Sequence, residues 1–169
     1  MSIDRRHLGR RYGPFRFEAG REAILDFVAA VGGGVPGRVF AAPPDRPHPH
    51  TVDPAAAHAD ALPDLVAPPS FAAVFAIQPF SSACSDPALA LNVLRLVHSE
   101  QDFEFFLPVH PGDVLETTGE ITRIQERGAL DFLEVTTESR NQRDERVVRG
   151  VWTAIIRNES GLRLMRRRG

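Results

Sequence analysis

Hydrophobic and polar positions along the chain follow two different periods. Ile24, Phe27, Val28 and Val31 recur at i, i+3, i+4 and i+7, the stripe of a 3.6-residue repeat, and Gly32-Gly33-Gly34 ends it. This predicts one short amphipathic helix, which must bury its stripe; the reading sets it against a sheet. From residue 92 onward the period is two. Phe103, Phe105 and Leu107 alternate with Asp102, Glu104 and Phe106. After a turn at 108–113, residues 114–125 place Val114, Glu116, Thr118 and Glu120 on one face and Leu115, Thr117 and Ile121 on the other. Glu126-Arg127-Gly128 reads as a hairpin turn, 130–139 as a strand whose alternation Phe132 and Leu133 break, 141–145 as a polar turn, and 146–157 as a last long strand. Long antiparallel strands joined by short turns predict a meander, and with the helix on one face the fold class is α+β.

Between these regions, residues 33–90 are rich in Pro, Ala and Gly, and 11 of the 14 prolines fall between Pro36 and Pro87. Proline removes a donor and keeps the residue before it out of a helix, so the stretch is expected as loops and short turns. Two pieces still read as helical: 54–60, with Pro54 in its first turn, and 70–77, opened by Ser70 as a cap. The second is apolar almost all round and is expected to be buried. An irregular stretch this long that carries Val66, Phe71, Val74, Phe75 and Phe80 points to function rather than disorder. No internal repeat is visible, and the 169 residues read as one domain spanning 1–169.

Composition narrows the chemistry. The chain is 43% hydrophobic and 25% charged with a formal net charge of −2, enough apolar material for a core without staples. A single cysteine, Cys84, rules out an internal disulfide framework and a Cys-rich zinc site, and no His stands near it to make a nucleophile. All 20 basic residues are Arg, so a Schiff-base or P-loop lysine is excluded. The charge balance gives no argument for nucleic acid or a membrane surface as a partner. No apolar run approaches a bilayer span, and the basic N-terminus is followed by no apolar h-region, which leads to the expectation of a cytoplasmic protein. The basic tail, 163–169, reads as a solvated end, with a phosphate contact to a coenzyme A moiety as the sharper alternative.

Three segments then align with a known pattern: Val66-Ala-Pro-Pro-Ser-Phe71, the run from Leu96 through His98-Ser-Glu-Gln-Asp-Phe103 to Pro108-Val-His-Pro-Gly-Asp113, and Val135 to Gln142 before the terminal strand. Taken together they resemble the N-terminal-type MaoC-like hydratase/dehydratase domain, over roughly residues 8–158. The resemblance implies a hotdog fold, a curved antiparallel sheet wrapped around a central helix. It also implies pairing with a second hotdog subunit, as homodimer or heterodimer, and an acyl-thioester tunnel near the interface. The implied reaction adds water reversibly to a trans-2-enoyl thioester of coenzyme A or acyl-carrier protein, with no cofactor and no metal.

That reaction needs a carboxylate and an imidazole on one water, and backbone N–H groups for the thioester oxygen. In active members the pair lies in a Gly-Asp-x-Asn-Pro-x-His segment directly after the helix. Here Gly34 and Val35 stand where Asp and Asn would, and no His follows Pro36 at the right spacing. In a second alignment Asp45 and His50, five apart, are the acid/base pair, against the bland reading of a solvent-facing loop. His48, His50 and His58 raise a metal only weakly. Pro69, Phe71, Val74 and Phe75 are assigned to the tunnel wall, with plain core as the competing reading. His98 is assigned to substrate binding, with a hydrogen-bonded histidine at a sheet or subunit interface as the competing one. Three functions stay open: the catalytically silent, substrate-binding half of a hydratase pair; a self-sufficient homodimeric hydratase using Asp45 and His50; and a non-enzymatic acyl-thioester-binding module.

Overall fold

In the computed structural model, residues 3–31 and 48–157 are described. Asp45, the Gly32-Gly33-Gly34 stop and the basic tail lie outside the described residues. The elements run β1 (Arg11–Glu18), α1 (Arg21–Ala30), α2 (Pro54–Ala59), α3 (Ala72–Ala76), α4 (Gln78–Ser85), β2 (Leu96–Phe105), β3 (Val114–Arg127), β4 (Leu130–Arg140) and β5 (Arg146–Arg157). No helix among them is long and apolar enough to cross a membrane.

The strands form one antiparallel sheet in the order β1-β3-β4-β5-β2. β3, β4 and β5 are the expected meander. Their inner positions, Leu115, Thr117, Ile121, Leu133, Val135, Trp152 and Ala154, are buried at every second residue, and a register shift after Ile121 moves Ile124 to the inner face. β2 departs from the meander: it crosses the sheet to pair with β5 instead of β3. β3 already has β1 on one side and β4 on the other, so the outer side of β5 is the open place. β1 has no counterpart in the sequence reading; Gly13-Pro14 stands inside it, and its pairing with β3 slips between Tyr12 and Phe15.

The helix on the sheet is also different from the one expected. α1 buries Ile24 and Val28, but it lies beside the 3-10 turn at Pro49–Thr51 and sets Phe27 edge-on to Phe71, ring centres 5.3 Å apart. The segment against the inner face is α3 with α4. Ile77 between them keeps helical dihedrals (φ −75°, ψ −22°), so the two form one rod, which Pro79 deprives of a donor. Its buried residues, Ala72, Phe75, Ala76, Phe80 and Ala83, complete an α+β hotdog core.

Two glycines set how closely this core closes. A Cβ on Gly119 would stand 2.4 Å from Pro79 Cβ, so β3 meets the rod at bare backbone. A Cβ on Gly150 would stand 2.7 Å from Thr137 Oγ1 and 2.8 Å from Trp152 Nε1. Between them the buried indole donates to Thr137 Oγ1 at 3.0 Å. Gly119→Ala should therefore overpack the helix–sheet contact and cost about 1–3 kcal/mol in urea unfolding. An unchanged unfolding midpoint would show that the rod tolerates displacement.

Beyond the C-terminus of α4, Asp86 joins the helix to β1. Its carboxylate takes the Tyr12 hydroxyl at 2.9 Å, the Arg10 guanidinium at 2.7 Å and the Ala88 N–H at 2.9 Å. Desolvation opposes the anion, but the Ala88 N–H, the Tyr12 hydroxyl and Arg10 outweigh it and hold the carboxyl below its usual 3.8. Burial and the bond to Asp86 raise the Tyr12 phenol from 10.0 to about 12. The linkage has two signs. The Tyr12 contribution to stability is complete below pH 10.0 and is lost as pH rises towards 12, whereas that of Asp86 is present above pH 3.8 and is lost as pH falls below it. Tyr12 is the sole tyrosine, so phenolate absorbance reads it directly. It should titrate near 12 in the folded chain and near 10 in urea; equal midpoints in the two states would contradict the cluster.

Candidate functional site

Part of the Pro-rich stretch crosses the mouth of the core and is pinned there by hydrogen bonds. The Val66 N–H donates to the His50 carbonyl and the Ala67 N–H to the Val109 carbonyl, each at 2.8 Å. The His110 ring adds a staple, with Nδ1–H donating to the Leu65 carbonyl at 2.8 Å. The His110 backbone N–H is itself held by Asp113 Oδ2 at 2.8 Å, as expected for a local turn at 108–113. The strap 65–69 is thus held between the 48–51 turn and the β2–β3 connection.

Beneath the strap lies a cavity of about 280 Å³. Pro69, Phe71, Ala72 and Phe75 wall one side, and Leu107 and Val148 line it as well. Every lining side chain is apolar. Phe71 and Phe75 are in turn backed by Phe17, each 5.9 Å away between ring centres, so the wall is stiff. At the lip stand Phe105 and Phe106, 49% and 40% exposed. The Arg146 guanidinium lies over the Phe106 ring at 5.0 Å and is tied to Glu138 at 2.9 Å. Such a space accepts an alkyl chain by desolvation, and its lining side chains move no protons.

Of the residues singled out in the sequence, the structure brings Pro69, Phe71 and Phe75 together at this cavity. Val74 is exposed on the opposite side of α3 and is not in the lining. His98 is on the edge strand, its ring 5.0 Å from Phe80 and 5.6 Å from Trp152. The His50 ring meets Asp60, Nε2 to Oδ2 at 2.6 Å, and is not among the cavity-lining groups. Its assigned partner Asp45 lies outside the described residues. His48 packs edge-on against His50, while His58 Nε2 bonds the Pro63 carbonyl at 2.9 Å. Cys84 is half-buried and desolvation pushes its thiol up to about 11, so it is protonated at neutral pH. The sequence reading missed the roles of His110, Arg146 and the lip. His110 reaches back 45 residues, a separation that leaves no local pattern.

Comparison with known proteins bears on the same region. Residues 6–149 match the family described as FAS1-like, dehydratase domain region. A UPF0336 protein of Saccharopolyspora erythraea is 34% identical over 158 residues, 93% of each chain. Among solved structures, a chain of the C-terminally truncated HadBC (3R-hydroxyacyl-ACP dehydratase) complex of Mycobacterium tuberculosis superposes with a TM-score of 0.72 at 24% identity, over 92% of this chain and 99% of that one. A MaoC-like dehydratase from Rhodospirillum rubrum gives a TM-score of 0.63 at 19% identity, over 90% and 93%. At these identities the two structures speak for the fold.

The staple makes a local prediction. His110→Ala should cost about 1 kcal/mol and speed hydrogen exchange at the Ala67 amide, the strap loosening with the fold otherwise intact. Unaltered exchange at Ala67 would show that the backbone bond to Val109 holds the strap unaided.

Proposed function

Because the chain belongs to the FAS1-like, dehydratase domain region family, a family of MaoC-like hotdog proteins, we propose that it is the substrate-binding half of a hotdog pair that interconverts enoyl and 3-hydroxyacyl thioesters. The observation that carries this reading is the cavity under the strap, apolar on every side and opening at Phe105 and Phe106. Its place is the acyl segment of a coenzyme A or acyl-carrier-protein thioester, each buried methylene contributing about 0.8 kcal/mol. Water addition then needs a carboxylate and an imidazole on one water at the β-carbon. None of the cavity-lining side chains is either, and the His50 imidazole is engaged by Asp60. The second subunit supplies that pair, and this chain supplies the grip on the acyl group.

Calorimetric titration with saturated acyl-CoA of increasing length tests the grip. Affinity should rise with length until the cavity is filled, and Ala72→Phe, which fills it, should weaken binding at least about tenfold. Added alone to an enoyl-CoA, the chain should give no hydration, and hydration should appear with a hotdog subunit that carries an Asp/His pair. Hydration by the chain alone, abolished in Asp45→Asn or His50→Ala, would establish the self-sufficient enzyme in its place. Absence of any acyl-CoA binding would end both readings.

A further inference from the structure

A second cavity, of about 210 Å³, lies at the opposite end of β5 from the strap. β5 runs from Val148, which lines the cavity under the strap, to Ile156, which lines this one, a separation of roughly 26 Å at about 3.3 Å per residue. The 3-10 turn Arg5–His7, the connection 88–95 that leads into β2, the start of β4 and the end of β5 form its wall. Three guanidinium groups border it, those of Arg6, Arg95 and Arg157. Arg6 is committed, its Nε meeting Asp4 Oδ2 at 3.2 Å. Arg95 and Arg157 are exposed and, among the described residues, meet no carboxylate and no ring. The other carboxylate of the wall, Asp131, is 1% exposed and accepts the Ile3 N–H at 3.2 Å.

His7 points to the occupant. It lines the same cavity and is 7% exposed. Its Nε2 accepts the Arg6 Nε–H at 3.4 Å, so the ring proton sits on Nδ1. Among the described residues nothing accepts that proton. The neighbouring carboxylate, Asp86, is already filled by the Tyr12 hydroxyl, Arg10 and the Ala88 N–H. A buried donor without an acceptor is costly, and here it shares a cavity with two uncommitted cationic donors. The uncommitted groups are all donors and two of them are positive, so their complement is an anion rich in acceptors. We infer that this cavity binds a phosphate group, one oxygen taking the His7 Nδ1–H and the others meeting Arg95 and Arg157. Three terminal oxygens serve three donors, and a double negative charge matches two guanidiniums. Inorganic phosphate and the phosphomonoester of a nucleotide share this chemistry. The inference does not depend on what the cavity under the strap holds.

Calorimetric titration with inorganic phosphate, at constant ionic strength and with chloride as the control anion, tests the site. The wild type should bind phosphate, and Arg95→Gln/Arg157→Gln should weaken that binding at least about tenfold. Both side chains are exposed and hold no partner among the described residues, so the variant should keep its unfolding midpoint. The buried donor has its own readout. In the nitrogen NMR spectrum of the histidine rings, the His7 Nδ1–H should shift with phosphate and not with chloride, while His110, bonded to the Leu65 carbonyl, should stay fixed. That measurement uses the unaltered chain, so it decides even if the variant does not fold. Titration with AMP identifies the source. Binding tighter than that of phosphate, with the same dependence on the two arginines, supports a nucleotide phosphate; equal or weaker binding supports the free ion. No phosphate binding beyond that of chloride, an unaltered affinity in the double variant, or an unmoved His7 resonance overturns the inference.

Discussion

The core depends on a place where side chains are missing. One line of register partners crosses the sheet from Tyr12 through Gly119, Thr137 and Gly150 to Phe103. Its three middle members are small, and the bulky groups of the core fill the space they leave. The Pro79 ring occupies the room over Gly119, and the Trp152 indole occupies the room over Gly150. The Thr137 hydroxyl between them accepts the indole N–H, so the one buried polar group of the tryptophan is satisfied inside the apolar core. Because α3 and α4 continue as a single rod, the depth at which Pro79 seats also fixes where Phe71 and Phe75 stand. The shape of the cavity under the strap is therefore set in part from the middle of the helical segment.

The strap and the lip complete the division of labour in the proposed pair. Backbone hydrogen bonds hold the strap on both sides, leaving its apolar side chains to face the cavity. The lip is more exposed, and its Phe106 is covered by a guanidinium anchored to Glu138, which also pairs with Arg140 at 2.8 Å. A chain so arranged can hold an acyl group with little reorganisation, which is where binding affinity is gained.

Legibility followed the physics of each signal. β3, β4 and β5 were readable because each has one buried and one wetted face, and period-two alternation is the direct record of that asymmetry. The position of β2 was not readable, because alternation says which face is buried and nothing about which strand is the neighbour. α1 announced itself through its stripe but lies off the sheet. The rod beneath the sheet was half hidden, since Pro79 interrupts it and its first turns are apolar all round. The same lack of phase placed Val74 with Phe71 and Phe75, although it faces outward. Phe71 and Phe75 themselves were found from apolar residues surviving in a Pro-rich stretch. His98 was singled out with its family segment, and the structure puts it on the edge strand with its ring against Phe80 and Trp152.

Trp152 is the sole tryptophan, and its surroundings give it a further use. Phe103 and His98, both on β2, touch its ring from the edge strand, while Phe80 stacks on it from α4 at 5.7 Å. Any displacement of β2 moves two of its three aromatic neighbours, and any displacement of α4 moves the third. The emission of this one indole is therefore a built-in gauge of how the edge strand and the helix sit against the core, needing no label.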